Sequence, residues 1–359
     1  MKQRKDVWAI TPLYQFFSKG NGHREKNFVK FRDNLARQGV KLAVMEITTE
    51  DLPFVLGSDD ADMVIQLKTK SVLWHKERAI NLVIPMLPPA CKYVAWFDAD
   101  CILLNDDWPD QGIEKLKTHC AVQLCSTIQY MEKDGTNGLP RGTYLFNTFN
   151  QAHQVNFPGR TEGAPGFCWM MNRDLIQRMK LYDKAIIGGG DILFASTMIH
   201  KSLGKNMLCG GTPNGRYKDF ISWTTSVRQE INKLKKATYI DGDSQHLWHD
   251  ERKYRVYGAR HYILLLEGFH PKRDLEIEKE TDLYILKNER IEKLLKTYFW
   301  FREMEKTPEH EKLFDTYEMM MMTIKEAFYA KQLVEKKLKN QRDLARKKIK
   351  GKDNKLVIS

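Results

Sequence analysis

The run Tyr93-Val94-Ala95-Trp96-Phe97-Asp98-Ala99-Asp100 fixes both a strand and what stands at its end. Five apolar residues of aromatic and β-branched character predict a buried strand. It finishes by presenting two carboxylates, spaced i and i+2. In open α/β sheets that edge is where ligands bind. Carboxylates there are costly to desolvate unless a cation neutralises them. A hard divalent metal meets that need, because Mg2+ and Mn2+ take one or two carboxylates together with substrate phosphates. The structural alternative is that Asp98 and Asp100 cap the turn or helix that follows.

The flanking sequence supplies the rest of an α/β unit. Residues 7–11 read as a first strand ending at Thr11-Pro12. Residues 19–38 carry Phe28, Phe31 and Leu35 at helical spacing, and Gly39 supplies a stop. Residues 40–47 read as a second strand, so the strand–helix–strand order predicts a parallel pair with a right-handed crossover. Residues 73–87 predict a helix closed by Pro88-Pro89, and residues 120–126 a further strand. Residues 135–160, rich in Gly, Asn and Pro, read as a long loop of the kind that carries function. Past Asp274 the character changes. Ile291, Leu294, Leu295, Tyr298 and Phe299 predict an amphipathic helix, and Met319 to Met322 belong to another. No fixed-period repeat is present.

Composition narrows the class. A chain of 359 residues, 29% charged and 42% hydrophobic, suits a soluble protein of one α/β domain with an appendage, or of two domains. No apolar run reaches the roughly 18 residues that cross a bilayer. The first residues lead straight into Val7-Trp8-Ala9-Ile10 without the apolar core of a secretion signal. Cys91, Cys101, Cys120, Cys125, Cys168 and Cys209 form no zinc-like pair and fit reduced thiols. These features predict a cytoplasmic protein. The net charge of +12 is concentrated: residues 331–355 hold eleven Lys or Arg against three acids. Any polyanion or membrane-surface contact would belong to the tail before the body, and the structural alternative is a solvated terminal helix.

Four further groups carry chemistry. Gly188-Gly189-Gly190-Asp191 follows the apolar Ala185-Ile186-Ile187, and its glycines permit positive φ and close backbone approach. Asp191 could serve as general base for an acceptor hydroxyl, or simply cap a helix. His246-Leu247-Trp248-His249 precedes Arg252, Arg255 and Arg260. Neutral imidazoles are metal ligands and the guanidiniums could clamp phosphate. The two histidines could share a helix face, but Asp241-Gly242-Asp243 argues for a loop. Lys70, Trp74, His75, Lys76, Arg78 and Asn81 make either a binding segment or a solvated helix face with Trp74 in the core. Gly163 to Trp169 lets backbone pass near a ligand at Gly166, and Trp169 offers a stacking face for a sugar ring. The same segment could be only a turn entering a buried strand.

In order, Thr11-Pro12, Trp74-His75-Lys76-Glu77, Asp98-Ala99-Asp100, Gly163 to Trp169, Gly189-Gly190-Asp191 and His246-Leu247-Trp248-His249 resemble a nucleotide-sugar-dependent glycosyltransferase of the GT-A fold. The resemblance covers roughly residues 6–275. It implies an α/β architecture, a mixed central sheet flanked by helices, with the donor nucleotide under the first strands. Residues 1–275 would form the catalytic domain and 276–359 a helical extension with a basic tail. Thr11, Pro12, Lys70, Trp74, Lys76, Asp98, Gly166, Trp169 and Arg255 would surround the nucleotide-sugar. Mn2+ or Mg2+ would sit on Asp98, Asp100 and His249, with His246 the alternative third ligand and Asp98 reaching ribose or a metal-bound water. Asp191 would stand where the acceptor's base stands, although glycines precede it where many relatives have a second acid.

A glycan or glycolipid acceptor is the expectation, since the body is only mildly basic. Phe328, Val334, Leu338, Ala345 and Ile349 would then form an apolar stripe for a membrane surface. The alternative is a viral or phage enzyme acting on a hydroxylated DNA base, stacked on Tyr144 or Phe146, with the tail on phosphates. A metal-dependent nucleotidyltransferase is a further alternative, for which Gly20-Asn21-Gly22-His23-Arg24 is the one candidate phosphate loop. A non-catalytic binder of sugar nucleotides or nucleic acid is the last.

Overall fold

The computed structural model describes residues 4–17, 23–150, 163–201, 205–209, 214–304 and 306–356. It opens with β1 (Val7–Gln15), α1 (His23–Arg37), β2 (Lys41–Thr49) and β3 (Met63–Thr69). Next come α2 (Lys76–Val83), β4 (Tyr93–Phe97), β5 (Cys101–Leu103) and α3 (Trp108–Leu116). Then follow β6 (Val122–Gln123), β7 (Thr127–Met131), β8 (Asn137–Gly142) and α4 (Tyr144–Asn150). The second half continues with β9 (Cys168–Asn172), α5 (Arg173–Met179), α6 (Gly190–Met198), α7 (Lys205–Cys209) and α8 (Gly215–Glu230). Short β10 (Thr238–Tyr239) and β11 (Asp243–His246) lead to α9 (His261–Leu266) and α10 (Pro271–Asp274). The hairpin of β12 (Leu275–Ile277) and β13 (Tyr284–Leu286) precedes α11 (Glu289–Glu303) and the long α12 (Pro308–Leu356).

The centre is a seven-stranded mixed sheet in the order β10-β6-β9-β4-β1-β2-β3. β4, β1, β2 and β3 are parallel, as the strand–helix–strand order predicts, and β9 runs antiparallel between β4 and β6. Both faces are covered, which is why these strands read as near-continuous apolar runs. Trp8, Ile10 and Trp96 pack with α2, α5, α6 and α11 on one face. Val7, Ala9 and Phe97 pack with Phe28, Phe31 and Leu35 of α1 and Trp108 of α3 on the other. This is the α/β class expected, a mixed central sheet flanked by helices.

Several elements differ from expectation. β1 runs through Pro12 to Gln15, because beyond Ile10 it is paired only with β2, and a strand open on one side tolerates proline. β3 went unseen in the sequence, since Met63-Val64-Ile65-Gln66-Leu67 is a half-covered edge with no clean alternation. The helix of 73–87 shortens to α2 plus a 3-10 turn at Ile84–Met86, with Pro85 inside that turn. Of 120–126 only Val122–Gln123 pairs as strand. Residues 137–150 are not loop but β8 and α4, and β8 owes its form to pairing with β7. Gly39 ends α1 at φ 70°, as a stop should. Residues 18–22, including Gly20 to Gly22, and 151–162 lie outside the described residues.

The boundary expected near residue 275 falls inside the β12–β13 hairpin. Ile291, Leu295, Tyr298 and Phe299 of α11 and Phe314, Tyr317 and Met321 of α12 belong to the same apolar cluster as Trp8 and Trp96. The last helices thus pack as part of the body's core. Among the described residues, no helix is long and apolar enough to cross a membrane.

Candidate active site

β4 delivers Asp98 and Asp100 to the carboxyl end of the sheet, and pairing beyond it brings the histidines there. Cys101 opens β5, which pairs antiparallel with β11 so that Cys101 faces His246, and the Leu247 amide donates to the Asp100 carbonyl at 2.8 Å. β11 belongs to a second sheet, ordered β5-β11-β7-β8. His246 is therefore a strand end and His249 lies in the loop after it, not on a helix face. His249 Nε2 stands 3.0 Å and His246 Nε2 3.6 Å from Asp100 Oδ2. Ligand atoms of all three lie within 4.8 Å of one another, a group that could hold a metal ion.

The electrostatics fit that use. Burial holds both imidazoles below their ordinary range, His246 at about 4 and His249 at about 3, with the Arg255 guanidinium pushing the same way. Both are neutral at pH 7 and offer lone pairs. Burial works against a charge on Asp100, yet the two imidazoles and Arg255 hold its carboxyl well below the usual range. Asp100 Oδ1 is buried without a hydrogen-bond partner. One orphaned carboxylate oxygen beside two neutral imidazoles is the donor set of a first-row divalent ion. Asp98 is not in the group.

Asp98 belongs instead to a second cluster built on α2. The buried Lys76 Nζ lies 2.6 Å from Asp98 Oδ1 and 3.0 Å from Asp191 Oδ1. Burial disfavours the Lys76 charge, but Asp191, Asp98 and Glu77 together hold its pKa above the usual lysine range. Glu77 is pushed up to about 8, first by burial and then by Asp191. Asp191 sits in the first turn of α6, entered through Gly188 and Gly189 at φ 82° and 91°. A Cβ on Gly190 would collide with Glu77 Oε1. The close approach that Gly190 permits is thus to a protein carboxyl, next to Asp191. Gly166 is small for a similar reason, since its Cβ would stand 2.9 Å from Asp191 Oδ2.

Both clusters open into one cavity of about 720 Å3. Of the residues expected to bind there, Pro12, Trp74, Lys76, Asp98, Asp100, Gly166, Asp191, His246, His249 and Arg255 line it. Three do not. Thr11 is fully buried beneath the cavity, donating its hydroxyl to the Phe97 carbonyl at 3.0 Å. Lys70 points away and pairs with Glu278 at 2.5 Å. Trp169 gives no stacking face: its ring packs against Phe194 and its indole N–H donates to the Pro165 carbonyl. Of the two aromatics named for a DNA base, Tyr144 is fully buried and half-buried Phe146 packs edge-on against Tyr239. In the tail, Phe328 packs on Tyr262, whereas Val334 and Leu338 are exposed; the side chains of Ala345 and Ile349 lie outside the described residues.

Sequence reading missed Tyr14, Tyr257 and Arg302, and it named Glu77 within the Trp74–Glu77 motif without giving it a role. Tyr14 comes from the unexpected end of β1. Arg302 comes from α11, beyond the expected boundary, and reaches the cavity beside Phe299 and Glu303.

No family model matches the chain, and no curated protein matches it. Solved structures with a similar outline include β1,4-galactosyltransferase 7 from Drosophila in complex with manganese, UDP-Gal and xylobiose. Identity is 12%, over 69% of this chain and 74% of that one, at a TM-score of 0.35. Glucosyl-3-phosphoglycerate synthase from Mycobacterium tuberculosis, with Mg2+ and UDP, is 12% identical over 78% and 86%, at 0.32. The 4-diphosphocytidyl-2C-methyl-D-erythritol synthase from Anaerococcus prevotii is 11% identical over 66% and 87%, at 0.31.

Proposed function

We propose that this chain is a metal-dependent glycosyltransferase, moving a sugar from a nucleotide-diphosphate donor to the hydroxyl of a glycan or glycolipid. The observation that carries this is the convergence, in one cavity, of Asp100, His246 and His249 with the Lys76–Asp98–Asp191 cluster. Asp100 and the two histidines would hold Mn2+ or Mg2+, and the imidazoles favour Mn2+. When bound, the ion supplies Lewis-acid stabilisation of the diphosphate leaving group without a proton transfer.

The chain's own residues do the rest. Arg255 Nη2 lies 2.5 Å from His249 Nε2 and its Nη1 donates to the Tyr257 hydroxyl, so its charge is fixed beside the metal group, where phosphate would sit. Lys76 hydrogen-bonds to both Asp98 and Asp191 and holds the two carboxylates at the cavity wall. Asp98 accepts from the donor's ribose. Asp191 accepts the proton of the acceptor hydroxyl as its oxygen bonds to the anomeric carbon. The bond from that carbon to the diphosphate oxygen breaks, and its electron pair leaves with the nucleoside diphosphate.

The test is a thermal-shift screen of nucleotide sugars with Mn2+ and with EDTA. A shift for one donor, lost with EDTA and in Asp100→Asn, is expected. Asp191→Asn should retain that shift and lose transfer. Absence of any donor shift sinks the proposal, and release of pyrophosphate from a nucleoside triphosphate plus sugar phosphate would make the chain a nucleotidyltransferase.

A further inference from the structure

The cavity carries more positive charge than a nucleoside diphosphate and a metal site use. Each carboxylate on its wall already has company: Lys76 serves Asp98 and Asp191, Arg24 lies 3.4 Å from Glu303, and Asp100 faces the histidines. Arg255 is committed to His249 and Tyr257. Arg141 donates to the Gly163 carbonyl and Arg252 lies over the Tyr130 ring, and with them on the wall stand Arg260 and Arg302.

Among the described residues, neither of these two pairs with a carboxylate. Arg302 makes no hydrogen bond there; its guanidinium carbon lies over Trp74, 4.6 Å from the ring centroid, and Trp74 is itself stacked on Phe299. Arg260 donates only through Nη1, to the Tyr298 hydroxyl at 3.1 Å, and its buried Nε has no acceptor. Its guanidinium lies over the Tyr257 ring at 4.8 Å. Burial and the like charges of Arg255 and Arg24 depress the Arg302 pKa below its usual range. Planar guanidiniums held by aromatic rings, with Arg260 Nη2 and the Arg302 fork making no hydrogen bond among the described residues, are pre-organised for capture of an oxyanion.

We infer that Arg260 and Arg302 form a subsite for an anionic group, a phosphate or a carboxylate, carried by the acceptor. This rests on the glycosyltransferase reading. The side of the reaction follows from Arg260, whose Nη2 lies against the Gly188 turn: a Cβ there would come within 3.0 Å of it. Gly188 is three residues ahead of Asp191, so an anion held at this wall places its neighbouring hydroxyl toward the base. Arg255, hydrogen-bonded to His249, serves the donor's diphosphate beside the metal group.

The experiment titrates inorganic phosphate, and separately acetate, into the full chain, first alone and then saturated with Mg2+ and whichever of UDP, ADP, GDP or CDP raises its melting temperature. Saturable binding of either anion to the nucleotide-loaded protein is expected, the tighter one naming the acceptor's group. Arg302→Gln should weaken it about tenfold or more, the loss of one charge-assisted fork. Anion binding that vanishes once the nucleotide is bound would assign these arginines to the diphosphate and overturn the inference. So would an Arg302→Gln chain that binds phosphate as tightly as the unaltered one. The competition arm needs no variant, so a misfolded mutant leaves the inference testable. If no nucleoside diphosphate binds, the transferase reading fails, whereas loss of phosphate binding alone fails only the subsite.

Discussion

Lys76 Nζ stands 3.0 Å from Asp191 Oδ1 although the two residues lie 115 positions apart, and this buried contact ties α2 to the first turn of α6. Lys76 is 3% exposed and also holds Asp98. Lys76→Ala should leave two half-buried carboxylates without a cation and cost about 1–3 kcal/mol of folding stability. Urea unfolding at pH 7 measures this, and a cost under about 1 kcal/mol would mean that water replaces the ammonium.

Glu77 carries the opposite expectation. Its carboxyl, pushed up to about 8 by burial and by Asp191, is mostly protonated at pH 7. Glu77→Gln keeps that shape and neutrality, so it should change stability by less than about 1 kcal/mol at pH 7. Glu77→Ala opens a gap beside Gly190 and should cost about 2 kcal/mol or more. Equal losses from both substitutions would show that Glu77 is ionised in the folded chain.

Three buried imidazoles set the acid side of the stability profile. His75 and His246 are held at about 4 and His249 at about 3, in each case first by burial. The unfolded chain protonates them as pH falls through about 6.5 while the folded chain does not. Their contribution is complete above 6.5 and is lost as pH falls toward 4, each at up to about 1.4 kcal/mol per pH unit. Glu77, raised, contributes fully below about 4.5 and loses that contribution as pH rises through about 8. The metal-free protein should melt highest between about pH 6 and 7, which calorimetry in EDTA from pH 4 to 9 will check.

Metal binding should follow Asp100. Asp100→Asn removes the one anionic ligand and should weaken Mn2+ binding by at least about 100-fold, while Asp98→Asn should weaken it far less. Titration calorimetry with Mn2+ separates the two. Comparable losses would place Asp98 in the ligand set, where the sequence resemblance put it.

What could be read from the chain beforehand was what lies close together in it. Asp98 and Asp100 after an apolar run, Gly188 to Asp191 before a helix, and the paired histidines are local patterns, and the fold keeps each of them at the cavity. Trp169 failed because its strand lies between β4 and β6 with both faces covered: Trp169 and Met171 pack on one side, Cys168 and Met170 on the other. An aromatic beside glycines looks like a stacking platform only if one face is open, and burial on both faces is a tertiary fact. Lys70 failed because its partner Glu278 is more than two hundred residues away. Arg302 carries no local mark at all, since a lone arginine on an amphipathic helix is ordinary until that helix is laid over the cavity.

The β5–β11 pairing also gives the metal group a history within each folding event. Residue 101 cannot face residue 246 until nearly the whole sheet has been spanned, and such long loops close late. Until then Asp100 is one carboxylate at a strand end, with no imidazoles opposite it and little hold on a cation. A ribosome-bound chain that has not yet emerged past His249 would therefore be blind to a metal held there, and tight uptake of Mn2+ would report that this loop has closed. The ion would act as an inspector of finished molecules.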